Sequence, residues 1–129
     1  MPKQRLKILV VEDESFLLDL YHTKLEQEGY DVAKAGNGQE GISLAQTELP
    51  DLILLDILMP NVDGYEMLRQ LKSNPKTKNI SVIIFSNLSQ KEEIEKGLKL
   101  GASDYIVKTS LTPSQLANKV KEYFKNNKK

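Results

Sequence analysis

Five short apolar runs, which alternate with segments of helical spacing, constrain the fold of this 129-residue chain more than any other feature. The runs cover residues 6–11, 31–35, 52–55, 80–85 and 105–107 and are rich in Val, Ile and Leu, as expected of strands. In the segments that follow them, apolar residues recur every three or four positions. Because parallel strands need long crossovers, this alternation predicts an α/β fold in which five helices cover both faces of a five-stranded parallel sheet.

Each predicted helix has an apolar face, and two of them have recognisable N-terminal caps. Ser89 with Glu92 is predicted to form the capping box of the fourth helix, and Thr112 with Gln115 that of the fifth. The residues expected to face the core are Leu18, Tyr21 and Leu25 in the first helix, Ile42, Ala45 and Leu49 in the second, Met67, Leu68 and Leu71 in the third, Ile94 and Leu98 in the fourth, and Leu116, Val120 and Phe124 in the fifth.

The composition fits one ordinary domain without covalent cross-links. A chain of this length with 40% hydrophobic residues can bury a normal core, so we expect a single domain over residues 1–129, with its core at about 6–124 and a basic C-terminal tail. These 129 residues leave no room for an output domain after residue 124, so the domain either acts through its own surface or is a piece of a larger chain. The absence of cysteine excludes disulfides, and no apolar run approaches the roughly 20 residues that cross a bilayer. We therefore expect a cytoplasmic protein that does not associate with membranes.

The charge is balanced overall but uneven along the chain. The formal net charge of +0 provides no general attraction for nucleic acids, and none is expected as a partner. Residues 1–64 carry 5 basic and 12 acidic side chains, whereas residues 65–129 carry 13 and 6. The second half therefore offers a lysine-rich surface to a protein partner.

Four of the five predicted strands end in residues that can carry chemistry. Glu12 and Asp13 follow the first strand, Asp56 follows the third, Ser86 the fourth, and Lys108 the fifth. Each of these residues taken alone has an ordinary structural explanation, such as a helix cap or a solvated charge. Ligands of open parallel sheets, however, bind beyond the carboxyl ends of the strands, where these side chains are expected to meet.

Such a group of side chains suits a metal-assisted reaction with an anion. Neighbouring carboxylates repel one another unless a cation lies between them, and Mg²⁺ prefers oxygen ligands of this kind. Lys108 would offset the remaining negative charge and keep Asp56 ionised as a nucleophile. Together with the Ser86 hydroxyl, these groups would neutralise the oxygens of a phosphoryl group during transfer to Asp56.

Three motifs give the chain a family resemblance over about residues 6–124. They are Glu12-Asp13 after the first strand, the segment 56–64 (DILMPNVDG) after the third, and the segment 101–108 (GASDYIVK) at the fifth. In this order, the motifs resemble the receiver domain of two-component response regulators, in particular the stand-alone chemotaxis type. The resemblance implies a flavodoxin-like sheet in the order 2-1-3-4-5, an order that general descriptions of this fold already cite for a chemotaxis member.

The resemblance also implies a role for individual residues. Asp56 is expected to be the phosphoacceptor, and Asp13, Asp56 and the main-chain carbonyl of Leu58 to bind Mg²⁺, with Glu12 acting through water. Ser86 matches the switch hydroxyl and Lys108 the lysine that pairs with the phosphoryl group. Tyr105 matches the aromatic switch residue that turns inward on activation.

The same resemblance implies the partners. The phosphoryl group is expected to come from a sensor histidine kinase or a histidine phosphotransfer protein. A downstream protein is expected to bind helix 4, strand 5 and helix 5, and the receiver itself to be a monomer or weak dimer. It would not be an enzyme with an external substrate, although it would catalyse its own phosphorylation and dephosphorylation.

Two departures and three alternatives accompany this interpretation. The family commonly has a proline after its lysine, where this chain has Thr109, and a small residue after the switch hydroxyl, where it has Asn87. A flavin-binding module is disfavoured because Glu12 and its acidic neighbours would repel a phosphate. A dehalogenase-like phosphatase is disfavoured because Leu58 replaces the second aspartate of its motif. A receiver that binds partners without phosphorylation is disfavoured because the set Glu12, Asp13, Asp56, Ser86 and Lys108 is intact.

Overall fold

The structure is a computed structural model that describes residues 5–59 and 63–126. Every predicted strand and helix is present, with boundaries within a few residues of those expected. A short 3₁₀ helix, Lys108–Ser110, follows the last strand. The elements are β1 Lys7–Val11, α1 Ser15–Gln27, β2 Asp31–Ala35, α2 Gly38–Glu48, β3 Leu52–Leu55, α3 Gly64–Ser73, β4 Ser81–Ser86, α4 Lys91–Lys99, β5 Asp104–Val107 and α5 Pro113–Asn126.

The strands form one parallel sheet in the order β2-β1-β3-β4-β5, which confirms the expected flavodoxin-like topology. Strand β1 pairs with β2 and β3, and β4 pairs with β3 and β5. The chain therefore winds outward in both directions from β1 and β3, and this order brings the carboxyl ends of all five strands to one edge.

Alternate residues of the buried strands point to opposite faces and form two cores. One core joins the sheet to α1 and α5 through residues such as Leu25 and Val120, and the other joins it to α2 and α3 through residues such as Ala45 and Leu68. Strand β3 is fully buried, as expected for a central parallel strand covered on both faces. Among the described residues, none of the helices is long and apolar enough to span a membrane.

The N-termini of α4 and α5 test the two predicted capping boxes. Thr112 and Gln115 form the expected reciprocal cap of α5, with Thr112 Oγ1 accepting from the Gln115 N–H and Gln115 Oε1 accepting from the Thr112 N–H. The predicted Ser89 cap is wrong, because Gln90 is the N-cap of α4 and makes no side-chain cap hydrogen bond. Helix α4 therefore begins without a side-chain cap.

Two leucines predicted to face the core are instead exposed. Leu49 terminates α2 with φ 46°, in the left-handed region, and its side chain is 57% exposed. Leu98 is 44% exposed, because α4 approaches the sheet through the neighbouring Gly97. Parts of two sequence features, residues 60–62 in the central motif and residues 127–129 in the basic tail, lie outside the described residues.

The loop after β3 is closed by a glycine at the first position of α3. The Gly64 N–H donates to the Ile57 carbonyl at 3.2 Å. A Cβ added at Gly64 would lie 2.2 Å from the Ile57 Cα and 2.7 Å from the Asp56 carbonyl oxygen. These obstacles are backbone atoms, so a side chain at Gly64 would displace the segment that carries Asp56.

We therefore expect Gly64→Ala to lower the free energy of unfolding by about 3 kcal/mol, because overpacking against backbone outweighs the gain of about 1 kcal/mol from helix propensity. The matched control is Gly36→Ala, where the nearest atom to an added Cβ is 3.9 Å away. Chemical denaturation of both variants measures the difference. Equal stability of the two variants would contradict the close approach at Gly64.

Candidate functional site

Strand hydrogen bonding continues one residue past β1 and β3 and fixes two carboxylates at the sheet edge. The Glu12 N–H donates to the Ala35 carbonyl at 3.0 Å, and the Asp56 N–H donates to the Val11 carbonyl at 3.1 Å. Glu12 is 2% exposed and Asp56 is 6% exposed. Because burial of an unpaired carboxylate is costly, both side chains need a positively charged partner.

Lys108 supplies that partner from the end of β5. Its Nζ donates to Asp56 Oδ2 at 2.9 Å and also pairs with Glu12 Oε1. The ring centroid of Phe85 lies 5.8 Å from the same Nζ. The ammonium therefore bridges the ends of β1 and β3 from an element that pairs with neither of those strands.

The second oxygens of the two carboxylates accept main-chain hydrogen bonds. Asp56 Oδ1 accepts from the Leu58 N–H at 3.0 Å, and Glu12 Oε2 accepts from the Glu14 N–H at 3.1 Å. Both contacts join a side chain to the main-chain N–H of the second residue after it, and at Asp56 this contact is an Asx turn. These contacts fix the rotation of both carboxylates.

Burial and neighbouring charges shift the pKa values of Glu12 and Lys108. Burial raises the pKa of Glu12, and the Lys108 ammonium opposes that rise only in part. Burial alone would lower the pKa of Lys108, but hydrogen bonds from its ammonium to Glu12 and Asp56 outweigh burial and raise it. Lys108 is therefore firmly charged at neutral pH.

Asp13 completes an acidic cluster that fits a divalent cation. One carboxylate oxygen from each of Glu12, Asp13 and Asp56 lies within 4.8 Å of the others, and Asp13 is exposed to solvent. Three carboxylates against the single Lys108 ammonium leave an excess of negative charge. Oxygen-only ligands with one open, hydrated side are the surroundings that Mg²⁺ prefers, so the donor set fits this ion.

Ser86 and Tyr105 lie beside this cluster and are joined through Leu88. Ser86 is fully buried, and its Oγ accepts from the Leu88 N–H at 3.3 Å. The Tyr105 hydroxyl donates to the Leu88 carbonyl at 2.6 Å. Burial raises the pKa of Tyr105, and the nearby Ser86 hydroxyl opposes that rise. The half-buried Tyr105 ring therefore points towards the loop between β4 and α4.

The structure brings together all the residues predicted for the site. Asp56, Glu12 and Lys108 are in direct contact, Asp13 completes the acidic cluster, and Leu58 is fixed to Asp56 through its N–H while its side chain is 50% exposed. Ser86 and Tyr105 are joined through their hydrogen bonds to the main chain of Leu88. No described residue has a cis peptide bond, so Lys108 and Thr109 are joined by an ordinary trans peptide.

Sequence reasoning missed two contacts of this site. It paired Lys108 with Asp56 but not with Glu12, and it did not place Phe85 beneath the ammonium. Phe85 precedes Ser86 in β4, so the alternation of strand side chains assigns the two residues to opposite faces. That alternation was the available signal for Phe85, since α1 and α5 cover the face to which it points.

Comparison with known proteins identifies the family. Residues 8–121 match the family model described as the response regulator receiver domain. The alkaline phosphatase synthesis transcriptional regulatory protein PhoP of Bacillus subtilis is 40% identical over 117 residues, which cover 89% of this chain and 47% of that protein. The probable transcriptional regulator ycf27 of Porphyridium aerugineum is 37% identical over 118 residues, covering 92% and 48%. The chain thus spans about half the length of these curated relatives.

A solved structure agrees with these sequence matches. The receiver domain of the Francisella response regulator 1452 aligns with a TM-score of 0.85 and 33% identity, covering 96% of this chain and 100% of that one. The strand order, the acidic edge and the sequence matches all lead to the same assignment. This chain belongs to the family of response regulator receiver domains, the phosphoacceptor modules of two-component signalling.

Proposed function

We propose that this receiver accepts a phosphoryl group on Asp56 in a Mg²⁺-dependent reaction and signals by phosphorylation-dependent binding of a partner protein. The observation that carries the proposal is the convergence of Asp56, Lys108 and the acidic pair Glu12 and Asp13 at one sheet edge. The donor would be the phosphohistidine of a sensor histidine kinase or of a histidine phosphotransfer protein, which would meet this receiver in the cytoplasm. A receiver that binds partners without phosphorylation would not need such a set of charges.

The metal would be held by Asp13, Asp56 and the main-chain carbonyl of Leu58, with Glu12 acting through water. Bound there, Mg²⁺ would neutralise oxygens of the transferring phosphoryl group. The proposal is supported by the excess negative charge of the cluster and by the exposure of Asp13, which leaves one side of the site open to solvent.

In the proposed reaction, a carboxylate oxygen of Asp56 donates a lone pair to phosphorus. The P–N bond of the phosphohistidine breaks, and its electron pair leaves with the imidazole nitrogen. The contact from the Leu58 N–H holds the Asp56 carboxylate in one rotation, which favours in-line attack. Lys108, already 2.9 Å from Asp56, would pair with an oxygen of the new acyl phosphate, and Ser86 would donate a hydrogen bond to another.

The signal would reach the partner through the segment between Ser86 and Tyr105. Phosphorylation adds about −1.5 to −2 charges and draws the Ser86 hydroxyl and the Lys108 ammonium towards the new oxygens. Ser86 and Tyr105 both contact Leu88, so movement at Ser86 passes to the loop before α4. We propose that the partner binds α4, β5 and α5, which lie in the lysine-rich half of the chain.

The first expected outcome concerns the acceptor. Incubation with acetyl phosphate and Mg²⁺ should add the mass of one phosphoryl group to the parent protein, and Asp56→Asn should abolish the addition, since an amide is a poor nucleophile. Asp51→Asn is the matched control, because Asp51 is an exposed carboxylate at the opposite end of β3. Intact-mass spectrometry measures the result. Modification of Asp56→Asn at the parental rate, or a rate unchanged by chelation of Mg²⁺, would refute the proposal.

The second outcome concerns Lys108. Lys108→Met should lower the free energy of unfolding at pH 7 by about 3–5 kcal/mol, because Glu12 and Asp56 lose their buried counter-ion. The matched control is Lys34→Met, whose ion pair with Asp19 is exposed, and it should cost less than about 1 kcal/mol. Urea denaturation of both variants gives these values.

The same variant has an expected pH dependence. Because its folded pKa is raised, Lys108 contributes stability that is fully present below pH 10.5 and is lost as the pH rises through the folded pKa. Without Lys108, the pKa of the buried Glu12 should rise further, so the deficit of Lys108→Met should shrink between pH 7 and pH 5. A deficit that is the same at both pH values would show that lost packing, rather than unpaired charge, destabilises the variant.

The third outcome concerns the lifetime of the acyl phosphate. Leu58 and Leu88 lie two residues beyond Asp56 and Ser86, and neither side chain can orient a water or act as a base. The variant carrying Leu58→Asn and Leu88→Glu should therefore lose its phosphoryl group on the order of tenfold faster than the parent. Leu58→Asn alone, at a half-exposed position, controls for disturbance of the core by Leu88. Equal rates of loss for parent and double variant would exclude shielding by these leucines.

A further inference from the structure

Two tyrosine hydroxyls contact the start of α4 and the loop before it. From α3, the Tyr65 hydroxyl reaches Glu93, with its oxygen 2.7 Å from Oε1 and 2.9 Å from the main-chain carbonyl oxygen. From β5, the Tyr105 hydroxyl donates to the Leu88 carbonyl at 2.6 Å. The Tyr105 contact belongs to the switch already described, whereas the Tyr65 contact has no role in the proposed reaction.

Tyr65 is well fitted to hold α4. Its side chain is buried, and the Lys96 Nζ lies 4.3 Å from its ring centroid, one turn beyond Glu93 on α4. Burial raises the pKa of Tyr65, and the nearby Glu93 carboxylate raises it further. The hydroxyl is therefore protonated and able to donate at neutral pH. Two side chains of α4 contact Tyr65, Glu93 at its hydroxyl and Lys96 at its ring.

Few other contacts fix this helix. Gly97 is its one fully buried residue, and an added Cβ there would lie 2.4 Å from Ile84 Cδ1. Leu98, on the outer side, is exposed, and α4 starts without a side-chain cap. Because Gly97 is the only buried residue within 91–99, the polar contacts of Tyr65 are an important addition to the attachment of α4 to the domain.

The contact between Tyr65 and Glu93 also connects the segment that follows Asp56 to the helix that follows Ser86. Gly64 precedes Tyr65 and is bonded to Ile57, so Tyr65 is anchored to the segment directly after Asp56. Glu93 belongs to the helix that follows Ser86. A displacement of α4 away from α3 would therefore stretch or break the contact between Tyr65 and Glu93.

We propose that Tyr65, Glu93 and Lys96 form a latch that holds α4 in its resting position and opposes the displacement caused by phosphorylation. This inference rests on the proposed function of Asp56 and adds an element that sets how readily the receiver switches. The Ser86 hydroxyl oxygen now accepts from the Leu88 N–H, and a phosphoryl oxygen would draw that hydroxyl away from the loop before α4. The strength of the latch sets how far α4 moves when the Ser86 hydroxyl is drawn towards the phosphoryl group.

The first arm of the test measures α4 directly, without any ligand. Tyr65→Phe keeps the ring, its packing and its contact with Lys96 but removes the donor. Hydrogen exchange of the amides in 91–99 should become on the order of tenfold faster, as expected for loss of a hydrogen bond to a charged group. The matched control is Tyr30→Phe, in which the ring packs against Phe124 on the opposite face of the sheet.

A second pair of variants separates the carboxylate from the general charge of α4. Glu93→Ala should also accelerate exchange in 91–99, by less than Tyr65→Phe because the main-chain carbonyl still accepts from the hydroxyl. Glu95→Ala removes the same charge from an exposed position two residues away and should leave exchange unchanged. Equal effects of Glu93→Ala and Glu95→Ala would overturn the role assigned to the Glu93 side chain.

The second arm measures the coupling to the site. Beryllium fluoride with Mg²⁺, a stable mimic of the phosphoryl group, should bind Tyr65→Phe more tightly than the parent, by a factor no larger than the acceleration of exchange. Thermodynamic linkage requires this relation, since a group that opens the latch binds better when the latch is already weak. Titration of both proteins, with Tyr30→Phe as control, gives the two dissociation constants.

The outcomes distinguish the latch from the function on which it rests. Unchanged exchange in Tyr65→Phe overturns the latch, and so does an affinity for beryllium fluoride that is equal to or weaker than that of the parent. If the parent neither binds the mimic nor accepts a phosphoryl group, the proposed function of Asp56 fails. In that case, the opposition to phosphorylation fails with it, while the exchange data still decide whether Tyr65 holds α4.

Discussion

The ion pair that Lys108 makes with both Glu12 and Asp56 is the interaction on which the whole functional edge depends. Two buried carboxylates at the ends of neighbouring strands would repel each other and raise the free energy of the folded state. The cation that offsets them comes from β5, which is separated from β3 by β4 in the sheet. Only a long side chain can cross that distance, and the charge it carries is stabilised by the same carboxylates.

Because the charged groups of the site are confined to this edge, the central strands of the sheet can be apolar. Strands β1 and β3 are almost entirely apolar up to their last residue, and charge begins at the next position in each. The two cores on either face of the sheet therefore bear the stability of the domain, while the edge carries an excess of negative charge that a purely structural site would avoid. Charged side chains are buried at the site, against the usual pattern, and burial of the apolar layers offsets the resulting cost in stability.

Much of the fold and site could be predicted from the sequence because strand ends leave a strong local signal. An apolar run of three to six residues that stops at Asp56 or Lys108 indicates both the strand and the edge at which it ends. The errors concern helices. Leu49 fits the helical spacing of α2 but takes a left-handed conformation that ends the helix, and Leu98 has the right spacing on a helix that approaches the sheet through Gly97. Spacing predicts a helix but does not fix which side the neighbouring elements approach.

The attachments of α4 could not be predicted for a related reason. The contact between Tyr65 and Glu93 joins residues 28 positions apart on two helices, and its existence depends on how α3 and α4 are placed on the same face of the sheet. Motifs report residues that act on a bound group, whereas a residue that holds a helix in place leaves no local pattern. If α4 moves as we propose, it can be neither firmly buried nor loose. A polar contact that breaks at modest cost satisfies both requirements, whereas a larger apolar interface would resist the proposed displacement more strongly.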